Sequence, residues 1–222
     1  MTEQQLRNEV CSCAASFVGC SEADGSHRAI IDLYNSHRPL ARGYAMSYDD
    51  PWCAAFVSAV AVRCGLTDIM PTECSCEMMI ELYRRLGRWE EDESVIPQPG
   101  DIIFYDWDDS GIGNNTGIAD HAGIVIGVEY GQIKLVEGNV SDSVAYRVAG
   151  IDSRYIRGFG KPDYASKAQL TDIGTPSAWA QMSCEKAVSA GIIHGDGLGA
   201  YDWQEPLTRE QMCVILDNLG LI

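Results

Sequence analysis

The chain carries nine cysteines and four histidines, so the first question is which thiol is poised to attack. A thiol is a useful nucleophile when it is partly thiolate, and a helix N-terminus beside an imidazole brings that about. Cys53 lies in the first turn of a predicted helix, PWCAAFVSAVAVRCG, with Asp50 at the cap, Pro51 in the first turn and Gly65 at the end. No other cysteine has that placement. Cys64 falls at a helix end, where the dipole opposes a thiolate. Cys11, Cys184 and Cys213 sit in helical apolar stretches and read as small core residues. Among the histidines, His27 and His37 flank a helix and His194 lies in a glycine-rich turn, whereas His121 opens the run HAGIVIGVEY directly after a long polar loop. A strand start gives a rigid, reachable imidazole, so His121 is the base best placed for Cys53. A third group should orient the ring and fix its tautomer. The next run, QIKLVEGN, ends in Glu137-Gly138-Asn139, two candidates two residues apart on one face of a strand. Glu137 is preferred over Asn139, because a carboxylate stabilises an imidazolium better. The pairing register that would decide cannot be read from sequence.

Other clusters fit metal chemistry poorly. Cys11-Ser12-Cys13 and Cys74-Ser75-Cys76 are spaced C-x-C with no histidine pair nearby, unlike a zinc site. Asp106, Asp108, Asp109 and Asp120 read as a solvated acidic loop rather than a calcium loop. No metal and no cofactor is expected. Trp52, Trp107 and Asp120 abut the proposed site and are candidates for lining a substrate groove.

The elements that must position these residues follow from periodicity. Helical spacing marks residues 3–20, 27–36, the Cys53 segment and 75–86. After the turn signal Pro97–Gly100 the pattern becomes alternating: DIIFYDW, HAGIVIGVEY, QIKLVEGN, VAYRVAG and YIRGFGKP read as antiparallel strands. Helices first and strands second make an α+β domain over residues 1–164. Residues 165–174 read as a linker. A small module over 175–222 follows, with helices at 176–190 and 208–219, the second opened by the capping box Thr208-Arg209-Glu210-Gln211.

Composition narrows the partners. The formal net charge of −16 argues against nucleic acid, which demands a basic face, and against an anionic membrane surface. No window approaches 18 uninterrupted apolar residues. The N-terminus MTEQQLRNEV shows no export signal, and an odd, scattered cysteine set suggests reduced thiols. The expectation is a protein cytoplasmic when made.

Four ordered blocks, PWCAAFVSAVAVRCGL, PQPGDIIFYDW, ADHAGIVIGVEYGQIKLVEGNVSDSVAYR and YIRGFGKPDY, resemble the CHAP family of cysteine, histidine-dependent amidohydrolase/peptidases. The resemblance implies a papain-like, NlpC-related fold, with Cys53 as nucleophile, His121 as base, Glu137 as orienting acid and Asn139 as assisting amide. It implies hydrolysis of peptidoglycan, either within the stem peptide and crossbridge or at the muramoyl–alanine amide. The stretch SAWAQMSCEKAVSAGIIHGDGLGAYDWQEPLTREQMCVILDNL resembles one S-layer homology repeat, a module that holds proteins to wall polysaccharide, usually in three copies. A single copy points to self-association, and the combination is similar to a phage or prophage endolysin. The alternative is an inactive wall-binding or scaffold protein that kept the fold.

Overall fold

The strands after Gly100 form where alternation predicts them. The structure is a computed structural model that describes residues 1–92, 94–112, 114–172, 176–194, 201, 203 and 207–221. It divides into two units, residues 4–164 and residues 165–222 with the first three residues.

In the larger unit, α1 (Glu3–Ala15), α2 (Arg28–Ser36), α3 (Cys53–Arg63) and α4 (Cys76–Arg85) precede a six-stranded antiparallel sheet. The strands are β1 (Trp89–Glu90), β2 (Ile102–Tyr105), β3 (His121–Glu129), β4 (Gln132–Val140), β5 (Ser143–Gly150) and β6 (Ile156–Gly160), in the order β1-β6-β2-β3-β4-β5. The fold is α+β. Helix α3 is apolar all round, as a helix covered on every side must be: Cys53 to Ala61 are all buried, with α2 on one side and β3 and β4 on the other. Gly138 of β4 is where strand and helix come closest, since a Cβ there would lie 2.4 Å from Phe56 Cβ. The opposite side of the sheet buries Ile103, Tyr105, Val125, Ile133, Leu135, Ile156 and Phe159 together. Burial at roughly 25 cal/mol per Å² of apolar surface makes such a cluster the main source of sheet stability. The ion pair of Arg7 with the buried Asp101, at 3.0 Å, ties α1 to the sheet.

Several local expectations are corrected. The first helix stops at Ala15, and turns lead to Gly19, whose φ of +94° ends the helical run. Asp50 does not cap α3, and Pro51 lies before its first turn. Trp52 is the N-cap residue and makes no side-chain cap. Asp50 instead accepts hydrogen bonds from the Ser47 N–H and the Tyr44 hydroxyl, both at 2.8 Å, so its carboxylate organises the preceding loop. The two-residue β1 has too short a run to be seen in sequence and exists because β6 offers it an edge.

In the smaller unit, α5 (Tyr164–Asp172) occupies most of the expected linker, α6 spans Gln181–Ser189 and α7 spans Arg209–Asn218. The capping box of α7 is present: Gln211 N–H donates to Thr208 Oγ1 at 3.1 Å and Thr208 N–H donates to Gln211 Oε1 at 2.9 Å. Asn218 donates to the Ile192 carbonyl at 3.1 Å, joining α7 to the end of the α6 segment. Neither α6 nor α7 has a buried residue. Much of the glycine-rich turn HGDGLGAYDWQEP lies outside the described residues. Among the described residues no helix is long and apolar enough to cross a membrane.

Candidate active site

Sheet register brings the first pair together. His121 faces Tyr105 across β2, and Gly123 faces Glu137 across β4. Side chains two apart on a strand share a face, so Glu137 is a diagonal neighbour of His121. To reach it, the Glu137 side chain crosses over Gly123: a Cβ there would meet Glu137 Cγ at 2.5 Å. Only a residue without one leaves the passage open. Glu137 Oε2 then lies 2.9 Å from His121 Nε2. One strand further on, Glu137 faces Ala145, and Arg147 is again the diagonal neighbour. Its Nε donates to the same Oε2 at 2.6 Å. His121, Glu137 and Arg147 thus form a diagonal row across β3, β4 and β5. The fully buried carboxylate, which burial alone would disfavour as an anion, sits between two cationic partners. Its Oε1 has no hydrogen-bond partner among the described residues.

Cys53 lies near enough to His121 for each to shift the other's pKa. With Nε2 engaged by Glu137, Nδ1 is the nitrogen left for the thiol. The Cys76 thiol, 3.6 Å from Cys53 Sγ, is the largest influence holding Cys53 well below the usual thiol range. His121 and the Ala54 N–H at the start of α3 add to it, and together they outweigh burial. Burial works to lower the His121 pKa, but Cys53 and Glu137 prevail and push it up to about 9. Cys76 moves the other way, well above the usual range, because it donates to Cys53 and is itself buried. The opposite shifts of Cys53 and His121 favour a thiolate–imidazolium pair, with the Glu137 carboxylate behind the ring.

Cys53 opens on a cleft of about 380 Å³ lined also by Arg42, Tyr44, Asp50, Cys76 and Asp120, among others. The cleft walls are fixed by buried polar groups. Ser58 of α3 donates to the Glu73 carbonyl at 2.6 Å and accepts from its N–H at 2.8 Å. The Glu73 carboxylate in turn holds the Cys74 N–H at 2.7 Å and the Arg42 guanidinium at 2.8 and 3.1 Å. Burial acts to raise the Glu73 pKa, yet Arg42 and the Cys74 N–H keep it below the usual carboxylate range. In the segment before His121, the buried Arg157 of β6 donates to the carbonyls of Gly117 at 2.7 Å and Asn115 at 3.1 Å. That pins the long polar loop ahead of His121.

The structure brings His121 and Glu137 into hydrogen-bond contact and sets Cys53 near enough to His121 for each to shift the other's pKa. Trp107 is 38% exposed, stacked on Tyr105 at 4.6 Å with its ring 6.0 Å from that of His121. Asp120 is exposed at the cleft, its carboxylate accepting the Trp107 N–H at 2.9 Å. Asn139 is not joined to the row. The β4–β5 register shifts between Glu137 and Val140, Asn139 takes a φ of +59°, and the alternation that would put it beside Glu137 breaks. Its half-buried side chain makes no hydrogen bond among the described residues. Trp52 is corrected outright as a groove residue. It is fully buried, donating from Nε1 to Glu22 at 2.9 Å, and packs beneath Gly138. Sequence reasoning missed Arg147, Cys76, Glu73 and Arg157. An alternating strand signals Arg147 only once register is known, and the Cys74-Ser75-Cys76 spacing, unlike that of a zinc site, gives no sign that Cys76 meets Cys53. Among the described residues no three His, Cys, Asp or Glu side chains come together as a metal ion would require.

Residues 43–139 match the family model described as the CHAP domain. No curated protein and no solved structure gives a match. The matched segment contains Cys53, His121 and Glu137 and supports a CHAP-family protein. CHAP domains are generally cysteine- and histidine-dependent amidohydrolases or peptidases acting on peptidoglycan.

Proposed function

We propose that the larger unit hydrolyses an amide bond of bacterial peptidoglycan, using Cys53 as nucleophile and His121 as acid and base. The observation that carries this reading is Cys53 on the wall of a cleft, electrostatically paired with a His121 that Glu137 holds at 2.9 Å. The Cys53 thiolate attacks the amide carbonyl, and the developing oxyanion is met by the Cys53 backbone N–H at the start of α3. His121, held protonated by its neighbours, gives its Nδ1 proton to the leaving amine. As a neutral imidazole it then takes a proton from the water that cleaves the thioester. Glu137 keeps the ring turned toward the thiol and stabilises its charge, and Arg147 anchors the Glu137 carboxylate through the same Oε2. Trp107 and Asp120 are proposed to line the substrate groove. Asn139 enters as an assisting amide on the family motif alone.

The finer reading is a phage or prophage endolysin whose smaller unit binds wall polysaccharide. Its support is the repeat-like sequence and the exposure of Trp179 and Met182, at 89% and 69%. That surface favours self-association of the small unit, which light scattering on the full chain reads directly. A monomer at micromolar concentration refutes it. For the activity, the test is mass spectrometry of fragments released from purified sacculi. New stem-peptide or crossbridge termini identify an endopeptidase, and free lactyl groups with intact stems an amidase. No release by the folded protein refutes the hydrolase reading and favours an inactive scaffold.

A further inference from the structure

The mechanism above leaves one buried nucleophile at the site without a chemical task. Cys76 opens α4 as Cys53 opens α3, the two sulfurs are 3.6 Å apart, and each residue is 7% exposed. Both line the same cleft. The closeness is built in. Ser58 of α3 holds Glu73 through two hydrogen bonds, and Glu73 holds the N–H groups of Cys74 at 2.7 Å and Ser75 at 3.3 Å. The segment that delivers Cys76 is therefore fastened to the helix that carries Cys53. A disulfide needs the sulfurs to close to about 2.05 Å. No intervening side chain has to leave, because the two sulfurs already touch.

We propose that Cys53 and Cys76 are a peroxide-responsive pair, forming a thiol-reversible disulfide that shuts the site and protects Cys53 from irreversible oxidation. The inference rests on Cys53 being a thiolate, as in the proposed function, but not on the bond that the site cleaves. In the first step the Cys53 thiolate attacks one oxygen of hydrogen peroxide. The O–O bond breaks, hydroxide leaves, and Cys53 becomes a sulfenic acid, two electrons passing from sulfur to peroxide. In the second step the Cys76 sulfur attacks the Cys53 sulfur. The S–O bond breaks, and the departing hydroxide takes the Cys76 proton to leave as water. One equivalent of a dithiol such as dithiothreitol restores both residues, closing into its own cyclic disulfide. The lowered pKa of Cys53 and the raised pKa of Cys76 fit these roles, the first as the group oxidised and the second as the group that resolves it.

The test uses the full chain, fully reduced and then exposed to hydrogen peroxide at neutral pH. After alkylation with iodoacetamide, digestion with trypsin and a glutamate-specific protease separates the peptides for tandem mass spectrometry. The expected result is a Cys53–Cys76 linked peptide as the main fate of Cys53. Sacculus clearing falls at least about tenfold and returns to within about twofold of its starting value with dithiothreitol. In Cys76→Ser, Cys53 lacks its resolving partner, so it gains about 32 Da as sulfinic acid and dithiothreitol no longer restores clearing. Cys53 recovered from the wild-type protein as sulfinic acid, or joined to Cys74 or any other cysteine, overturns the proposal, and this mapping stands even if the variant does not fold. The two readings fail separately. A Cys53–Cys76 link in a protein that releases no wall fragments keeps the redox pair and removes the hydrolase. Wall hydrolysis with Cys53 unlinked does the reverse.

Discussion

Replacing Glu137 with glutamine keeps the shape of the central residue of the diagonal row and removes its charge. The carboxylate is fully buried, and its Oε2 accepts both His121 Nε2 at 2.9 Å and Arg147 Nε at 2.6 Å. A glutamine oxygen in that position can still accept both. Its NH₂ then takes the place of Oε1, which has no hydrogen-bond partner among the described residues, so a buried donor stands where there was an acceptor. The larger effect is electrostatic. His121 stands at about 9 against an ordinary 6.5, which corresponds to about 3 kcal/mol in favour of the imidazolium. Cys53 and Glu137 supply that preference together, against burial. Without Glu137 the alkaline limb of the pH–rate profile is expected to move from about 9 to below about 8, since each pH unit is about 1.4 kcal/mol. The rate should fall by about ten- to ten-thousandfold, the upper figure being the cost of neutralising the acid of a comparable triad. Sacculus clearing measured from about pH 5 to about pH 10, with circular dichroism as the check on folding, reads both quantities across the window in which the pair titrates. A folded Glu137→Gln protein with an unmoved alkaline limb and a rate within about twofold of wild type would refute the electrostatic role given to the carboxylate.

Cys53→Ala should abolish clearing while the protein keeps its far-ultraviolet spectrum, whereas Cys64→Ala, at the far end of α3, should clear normally; retained lysis by folded Cys53→Ala ends the mechanism. Gly123→Ala sets a Cβ 2.5 Å from Glu137 Cγ, so stability should drop by about 1–3 kcal/mol in urea unfolding. Activity should drop further than stability explains, because the carboxylate is displaced from His121; an unchanged rate contradicts the crossing of Glu137 over Gly123. The pH dependence of stability carries a third signature. His121, raised from 6.5 to about 9, contributes stability that is complete below pH 6.5 and lost as pH climbs to about 9. Cys53, lowered from 9.0, contributes stability that is present above pH 9.0 and lost as pH falls through its folded value. Across the interval between 6.5 and 9 the two slopes oppose, since folded and unfolded forms of the pair each hold one proton. Urea midpoints should be level there and decline below pH 6.5, where the unfolded imidazole takes up a second proton; a marked slope inside the interval argues against the ion pair.

What could be read in the sequence was whatever depends on neighbours along the chain. Cys53 at a helix start, His121 at a strand start and the capping box at Thr208 are local patterns, and each has its element in the structure. Glu137 could be named but not placed, because its approach to His121 depends on the Gly123↔Glu137 register. Asn139, the less favoured candidate, shares a face with Glu137 by two-residue periodicity, and the register shift after Glu137 breaks that sharing. Asp50 had the composition of a helix cap but was drawn instead to the Ser47 N–H and Tyr44 hydroxyl, a loop geometry no period encodes. Trp52 adjoins the nucleophile in sequence, yet one step along a helix entrance turns its side chain into the core. Arg147 and Cys76 were invisible for one reason: each acts on a residue brought beside it by a separate element.

The place of β6 in the sheet bears on when this site comes into being during synthesis. It is the last strand of the sheet to be made, yet it lies in the interior between β1 and β2, and its Arg157 anchors the loop that leads into His121. A nascent chain that has emerged only as far as residue 139, where the family match ends, has the cysteine, the histidine and the acid. It still has an empty slot beside β2, no Arg147 and an untethered loop. The loop that leads into His121 is therefore tied down only after residue 160 has left the ribosome and β6 has entered that slot. For the same reason, transplanting residues 43–139 into another protein would carry over the reactive side chains without the strand that completes their setting.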